Sequence, residues 1–173
     1  MQEVYIPHER IRKLKDNKEY IRRIETLCKC KIKINEDLIE IQGEAFAEYV
    51  AKNIIYAFGR GFDIEIAERL ADNDYYFSSI DLGQIISSDK RVKQLKARII
   101  GINGRTKKYI EEVSGGKMSI YGNTVSFIGT INEINEIETA VNTLIDGGTH
   151  KLAYIRMEAA HRKNKMEAKK VSF

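Results

Sequence analysis

The sequence predicts an α+β chain made of two copies of one strand-helix-helix-strand-strand-helix unit, followed by a basic helix. Three observations carry this. The halves echo each other: Lys31, Ile32 and Ile34 return 86 positions later as Lys117, Met118 and Ile120, and Tyr20, Ile21 and Ile24 return 89 positions later as Tyr109, Ile110 and Val113. Within each half the apolar spacing switches between period two and helical period. The length of 173 residues, 43% of them hydrophobic and 31% charged, suffices for two small cores and leaves little room for a large multidomain enzyme.

In the first copy residues 4–6 read as a short strand, and Pro7 suits entry into a helix over 9–14. A second helix over 18–27 carries Ile21, Ile24 and Leu27 on one face. Residues 31–34 and 38–42 alternate on either side of a turn at Asn35, Glu36 and Asp37, which predicts a hairpin that Gly43 ends. The stretch 45–58 is an amphipathic helix with Phe46, Val50, Ile54 and Phe58 at helical spacing. A short helix over 64–70 and an acidic, aromatic connector over 72–76 follow.

In the second copy residues 80–86 read as the opening strand, Ser88 caps a helix reaching about residue 100, and 105–113 form the next helix. Residues 118–120 and 124–128 flank a Gly122-Asn123 turn as a second hairpin, and 132–145 close the unit as a helix. After Gly147 and Gly148, Thr149 caps a final helix whose packing stripe reads as Leu152, Ile155 and Ala159. The expected division is 1–61, a connector over 62–77, then 78–148, and a basic helix and tail over 149–173.

The formal charge of +4 hides a strong segregation. Residues 8–33 carry ten Lys/Arg against four Asp/Glu, residues 90–117 nine against two, and residues 150–170 seven against two. These blocks hold +18, so the rest of the chain holds −14, and a polyanion partner becomes plausible. No apolar run approaches the roughly 20 residues of a membrane helix, and the N-terminus lacks a secretory apolar core, so a soluble, intracellular, cytoplasmic protein with no membrane partner is expected. Two cysteines are too few for a disulfide scaffold. Cys28 and Cys30 have no second pair, and His8, His150 and His161 form no HxxxH, so neither metal nor cofactor is expected. Asp72, Asp74 and Asp81 lie in a connector and a strand away from the basic loop, which favours an acidic linker over a metal nuclease. No P-loop, nucleophile elbow or HExxH occurs, and no catalytic residue is assigned.

The motif that carries chemistry is Gly101-Ile102-Asn103-Gly104, set between two helices and flanked by basic residues. Glycines at both corners permit the backbone angles of a tight link and let a sugar-phosphate backbone approach closely. The helix that starts at the loop turns its free N–H groups toward such a phosphate. Arg98, Arg105 and Lys108 supply salt-sensitive charge, while Ile100, Ile110, Met118 and Ile120 offer an apolar floor for bases. This arrangement resembles the type I KH domain, whose GxxG loop clamps about four nucleotides of a single strand. The resemblance covers nearly the whole chain and implies two tandem type I KH domains packed side by side. Its expected RNA contacts are Arg98, Ile100, Gly101, Ile102, Asn103, Gly104, Arg105, Lys107, Lys108, Lys117, Met118 and Ile120, with Arg162 and Lys163 of the terminal helix. The KH pattern has an apolar residue where this chain has Lys107, and Tyr109 and Ile110 are expected to keep the packing face. In the first copy the 89-residue offset places Arg12, Lys13, Leu14 and Lys15 at the loop, so a structural or protein-binding role is expected there.

A degenerate first loop with an intact second one is similar to the partner of NOB family of small-subunit ribosome assembly factors. The stretches that carry this are Asp74-Tyr75-Tyr76, Ile80-Asp81-Leu82, Arg98-Ile99-Ile100-Gly101, the hairpin from Ser119 through Tyr121-Gly122-Asn123-Thr124 to Val125, and Gly148-Thr149-His150 leading to Tyr154. Without the N-terminal extension of eukaryotic members, the chain resembles the archaeal version. The resemblance implies binding near the 3′ end of small-subunit rRNA, assistance to the NOB-family endonuclease that matures that end, and a link to the alpha subunit of translation initiation factor two. The alternative from a different class is a protein-interaction scaffold for translation initiation or rRNA-processing factors, with RNA binding secondary.

Overall fold

A computed structural model describes residues 1–171, which divide into a unit over residues 1–77 and a second from Ser78 onward. The last two residues of the predicted 149–173 segment lie outside the described residues. The first unit runs β1 (Gln2–Val4), α1 (His8–Asp16), α2 (Lys18–Cys28), β2 (Lys31–Ile34), β3 (Ile39–Gln42) and α3 (Ala45–Gly59), then a short α4 (Ile64–Ala67) and a 3-10 turn over Glu68–Ala71. Next come β4 (Tyr76–Asp81), one helical turn α5 (Leu82–Ile85), α6 (Asp89–Ile100), α7 (Arg105–Ser114), β5 (Lys117–Tyr121), β6 (Thr124–Gly129), α8 (Ile131–Ile145) and α9 (His150–Val171). The sheets have the same order, β1-β3-β2 and β4-β6-β5. Both hairpins sit at one register: Lys31 faces Gln42, and Lys117, 86 positions on, faces Ile128. The architecture is α+β, with a three-stranded antiparallel sheet and helices in each unit, as expected.

Each sheet presents alternate residues to its helices. In the second unit Val125 and Phe127 of β6 meet Leu95 and Ile99 of α6, Ile110 of α7 and Ile137 of α8 in one buried cluster. The same device joins helix to hairpin in each unit: Glu25 Oε1 accepts from the Ile32 amide at 2.9 Å, and Glu111 Oε1 accepts from the Met118 amide at 2.8 Å. Left-handed residues end α2 and α7 at equivalent places, Lys29 and Gly115. In α8, Thr130 and Glu133 form a reciprocal cap.

Four expectations need correction. The first strand is Gln2–Val4, not 4–6, because Val4 pairs with Ile39, the first residue of β3, and the ladder ends there, although Ile6 is still buried. The second opening strand starts at Tyr76 and ends at Asp81, where the carboxylate accepts from the Gly83 amide at 2.9 Å and turns residues 82–85 into a helical turn. Phe46 is exposed; the inner face of α3 is Val50, Ala51, Ile54, Ile55 and Phe58.

The packing stripe of α9 is also different. Leu152, Ile155 and Ala159 are exposed, and Ala153 and Met157 are buried. The seam continues through polar residues: His161 Nδ1 lies 2.9 Å and Asn164 Nδ2 2.8 Å from the carboxylate of Glu136, a residue of α8 that is only 2% exposed. A small alanine and a partnered buried carboxylate decide the docking face, so apolar spacing alone misplaces it. Met157→Ala is expected to destabilise the second unit by about 2–3 kcal/mol, read by urea unfolding. An unchanged transition would show that α9 is not part of that core.

Candidate nucleic-acid interface

The two helix-to-helix links differ in length. Arg98 and Ile99 stand 88 positions after Arg10 and Ile11, whereas Ile110 and Ser114 stand 86 after Ile24 and Cys28, all of them at matching places in their units. The 89-residue offset read for the second helix is therefore replaced by 86, the offset of the hairpins. The first unit has two more residues in this stretch, and they extend α1. Arg12, Lys13, Leu14 and Lys15 consequently lie inside α1, with Leu14 buried in the core, and not in a degenerate loop. The link itself has shrunk to Asn17, whose Oδ1 caps α2 by accepting from the Glu19 amide at 3.2 Å.

In the second unit α6 stops at Ile100. Gly101 adopts φ 76°, ψ 169°, a conformation open essentially to glycine, and a 3-10 turn over Ile102–Gly104 leads into α7. Asn103 and Gly104 also have positive φ, 55° and 74°. The two glycines do different jobs. A Cβ on Gly101 would lie 2.3 Å from Thr106 Oγ1 and 2.7 Å from the Thr106 amide nitrogen, so this glycine permits the first turn of α7 to close onto the end of α6. A Cβ on Gly104 would meet nothing within 4 Å, so this corner opens outward. Ile102 is 81% exposed at the tip, next to the exposed Asn103.

The predicted contact residues separate into three groups. Arg105 and Lys108 are exposed and lie one turn apart on α7 beside the open corner; Lys108 has only a long 3.8 Å pairing with Glu112. Lys107 pairs with Glu111 at 3.2 Å and is half-buried, as is Lys117. Ile100 and Ile120 are half-buried and present some apolar surface, Ile120 from the edge strand β5. Met118 and Ile110 are core residues, 3% and 0% exposed, and form no surface floor. Met118 is in register with Phe127 and packs with it in the core beneath the helices, whereas Ile120, two residues on along the same face, lies at the margin of that core.

Arg98 is not a free cation. Its Nη1 donates to the Leu144 carbonyl at 3.2 Å and its Nη2 to the Gly148 carbonyl, which places the charge at the C-terminal end of α8. Arg10 does the same in the first unit, donating from Nε to the Phe58 carbonyl at 2.8 Å and from Nη2 to the Phe62 carbonyl at 2.6 Å. Arg162 and Lys163 are exposed on α9, about one turn beyond Glu158, to which the Tyr109 hydroxyl of α7 donates.

Two residues near the loop escaped the sequence reading. Thr106 is buried against Gly101, its only signal being its place two residues after the second glycine. Lys96 Nζ donates to the Gly122 carbonyl at 2.7 Å and ties α6 to the β5–β6 turn; composition alone placed it in the basic block. Cys28 and Cys30 are buried free thiols, and burial, with the neighbouring Cys30 and Glu68, pushes the Cys28 thiol up to about 11. No group of three or more His, Cys, Asp or Glu suited to a metal, and no helix long and apolar enough to cross a membrane, occurs among the described residues.

Residues 76–162 match the family model for the second KH domain of PNO1, a eukaryotic type KH-domain (KH-domain type I). A KH domain-containing protein of Methanocaldococcus jannaschii is 36% identical over 124 residues, 72% of this chain, and the match spans 55% of that relative's length. The crystal structure of Dim2p from Pyrococcus horikoshii is similar at a TM-score of 0.83 with 35% identity, covering 91% of this chain and 98% of that one. A chain in the a/eIF2alpha-aDim2p-rRNA complex of the same organism is similar at 0.85 with 34% identity, covering 94% of each.

The two glycines are expected to respond unequally to alanine. Gly104→Ala carries only backbone strain, about 1 kcal/mol, whereas Gly101→Ala adds a collision with backbone and costs about 2–4 kcal/mol; equal urea midpoints would contradict the assignment. At pH 8 both thiols should react slowly with a thiol reagent in the native chain and rapidly in denaturant, and fast native labelling would contradict their burial.

Proposed function

We infer function from one premise: the chain belongs to the type I KH-domain family of PNO1 and Dim2p. KH domains are RNA-binding modules and not an enzyme family. On our reading this chain binds single-stranded RNA through the second unit and acts, without catalysis, as a ribosome assembly factor of the small subunit. The observation that carries the reading is the loop itself. Gly101 closes α7 onto α6, Gly104 leaves an open corner, and Arg105 and Lys108 stand exposed beside it. A phosphate at that corner would meet the N-terminus of α7 and two side-chain cations, while Ile100, Ile102 and Ile120 offer apolar surface to bases.

The finer reading is that the RNA is the 3′ region of small-subunit rRNA, and that the chain assists the NOB-family endonuclease acting there. The alpha subunit of translation initiation factor two is proposed as a further partner, supported by the complex that joins a/eIF2alpha, aDim2p and rRNA. A cytoplasmic setting follows from these partners. The first unit, with Asn17 in place of a glycine loop and Arg10 bound internally, is proposed to be structural or to bind protein.

Because Gly104 faces open space, Gly104→Asp adds negative charge without disturbing the core, and it is expected to weaken binding to a single-stranded RNA from the 3′ end of small-subunit rRNA at least tenfold. Replacing Arg105 and Lys108 by Ala should lower the slope of log affinity against log salt by about 1.4, roughly 0.7 per lost phosphate contact. Fluorescence anisotropy reads both. Undiminished binding by Gly104→Asp would refute the reading, and equal affinity for a scrambled strand would remove its 3′-end part.

A further inference from the structure

A polar stripe of α9 reaches both shoulders of the glycine loop. His150, Tyr154 and Glu158 are four residues apart and therefore stack along one face. His150 Nε2 lies 2.9 Å from the carbonyl oxygen of Arg98, three residues before Gly101. The Tyr154 hydroxyl donates to Thr106 Oγ1 at 3.3 Å, two residues after Gly104. The Tyr109 hydroxyl donates to the Glu158 carboxylate, and the Tyr109 and Tyr154 rings pack with centroids 4.5 Å apart at 52°. The carboxylate beside it, and then burial, hold the Tyr109 phenol above the usual range, which keeps it a donor. This stripe flanks the Ala153 and Met157 face that docks α9 on the core, and the Tyr109 and Tyr154 rings pack against the edge of that same core.

Thr106 is the residue on which Gly101 rests, so whatever fixes Thr106 fixes the angle between α6 and α7. We propose that His150, Tyr154 and Glu158 are positioning residues that hold the loop and the first turn of α7 in their RNA-binding geometry before RNA arrives. This rests on the RNA-binding reading above. The brace lowers the ordering cost of binding and neutralises no phosphate. Its loss must therefore weaken binding while leaving the salt slope as it was, which separates it from a direct contact.

The test compares wild-type chain, Tyr154→Phe and Gly104→Asp on the same single-stranded RNA across a salt series, with thermal unfolding and amide hydrogen exchange on each. Tyr154→Phe keeps the ring and removes only the hydroxyl. It is expected to raise Kd about fivefold, the factor typical of one hydrogen bond, with the salt slope unchanged, the unfolding midpoint lowered by only a few degrees, and faster exchange at residues 101–106 but not in α8. Unchanged affinity with unchanged exchange overturns the proposal. A reduced salt slope overturns it as well, because α9 would then touch phosphate directly. Failure of the underlying reading is distinguishable: Gly104→Asp would bind RNA as tightly as wild type, while loop exchange in Tyr154→Phe would still report whether the brace exists.

Discussion

The closure of Gly101 onto Thr106 is the contact on which the candidate site depends. Only a residue without a side chain, at positive φ, lets the first turn of α7 approach the end of α6 so closely. That closure aims the start of α7 outward and sets Arg105 and Lys108 beside an open corner. The first unit shows what happens without it. There α1 runs on to Asp16 and a single capped residue, Asn17, joins the helices, so no open corner is formed. Two copies of one topology thus differ in structure at a link of a few residues.

Basic charge has to be sorted by what it touches. Arg10 and Arg98 occupy equivalent places and both bind the carbonyls at the end of their unit's closing helix, a position where a cation is stabilised by the helix dipole as well as by hydrogen bonds. Arg10 also lies over the Phe58 ring, 3.9 Å from its centroid. Arg23 binds Glu65 and Glu68. Part of the first basic block is therefore internal wiring, and the strongly basic sequence around residues 8–33 overstates its free charge. Around the second loop, by contrast, Arg105 and Lys108 remain exposed.

The repeat, both hairpins and the GxxG link were legible in the sequence because each rests on a local rule: alternation, turn residues, paired glycines. Tertiary context governed what was not legible. The offset of the second helix was misread because Tyr20, Ile21 and Ile24 resemble Tyr109, Ile110 and Val113 as residue types, while burial aligns Ile24 with Ile110. Met118 is offered to bases as an apolar hairpin residue near the loop, and only its packing with Phe127 in the core shows which way it points. The seam of α9 was missed because it runs through Ala153, His161 and Asn164 and leaves Leu152 and Ile155 outside. Arg98 carried the right charge in the right place, yet its hydrogen bonds to two carbonyls are a property of the fold that no charge count contains.

The central claim is that RNA is held at the second loop and not at its counterpart. The most direct measurement is the backbone amide spectrum of the isotope-labelled full chain, titrated with single-stranded RNA from the 3′ end of small-subunit rRNA. The account predicts the largest shifts at residues 101–105, smaller ones at 108 and 120, and none at residues 12–18. Shifts centred on 12–18, with 101–105 unmoved, would contradict it.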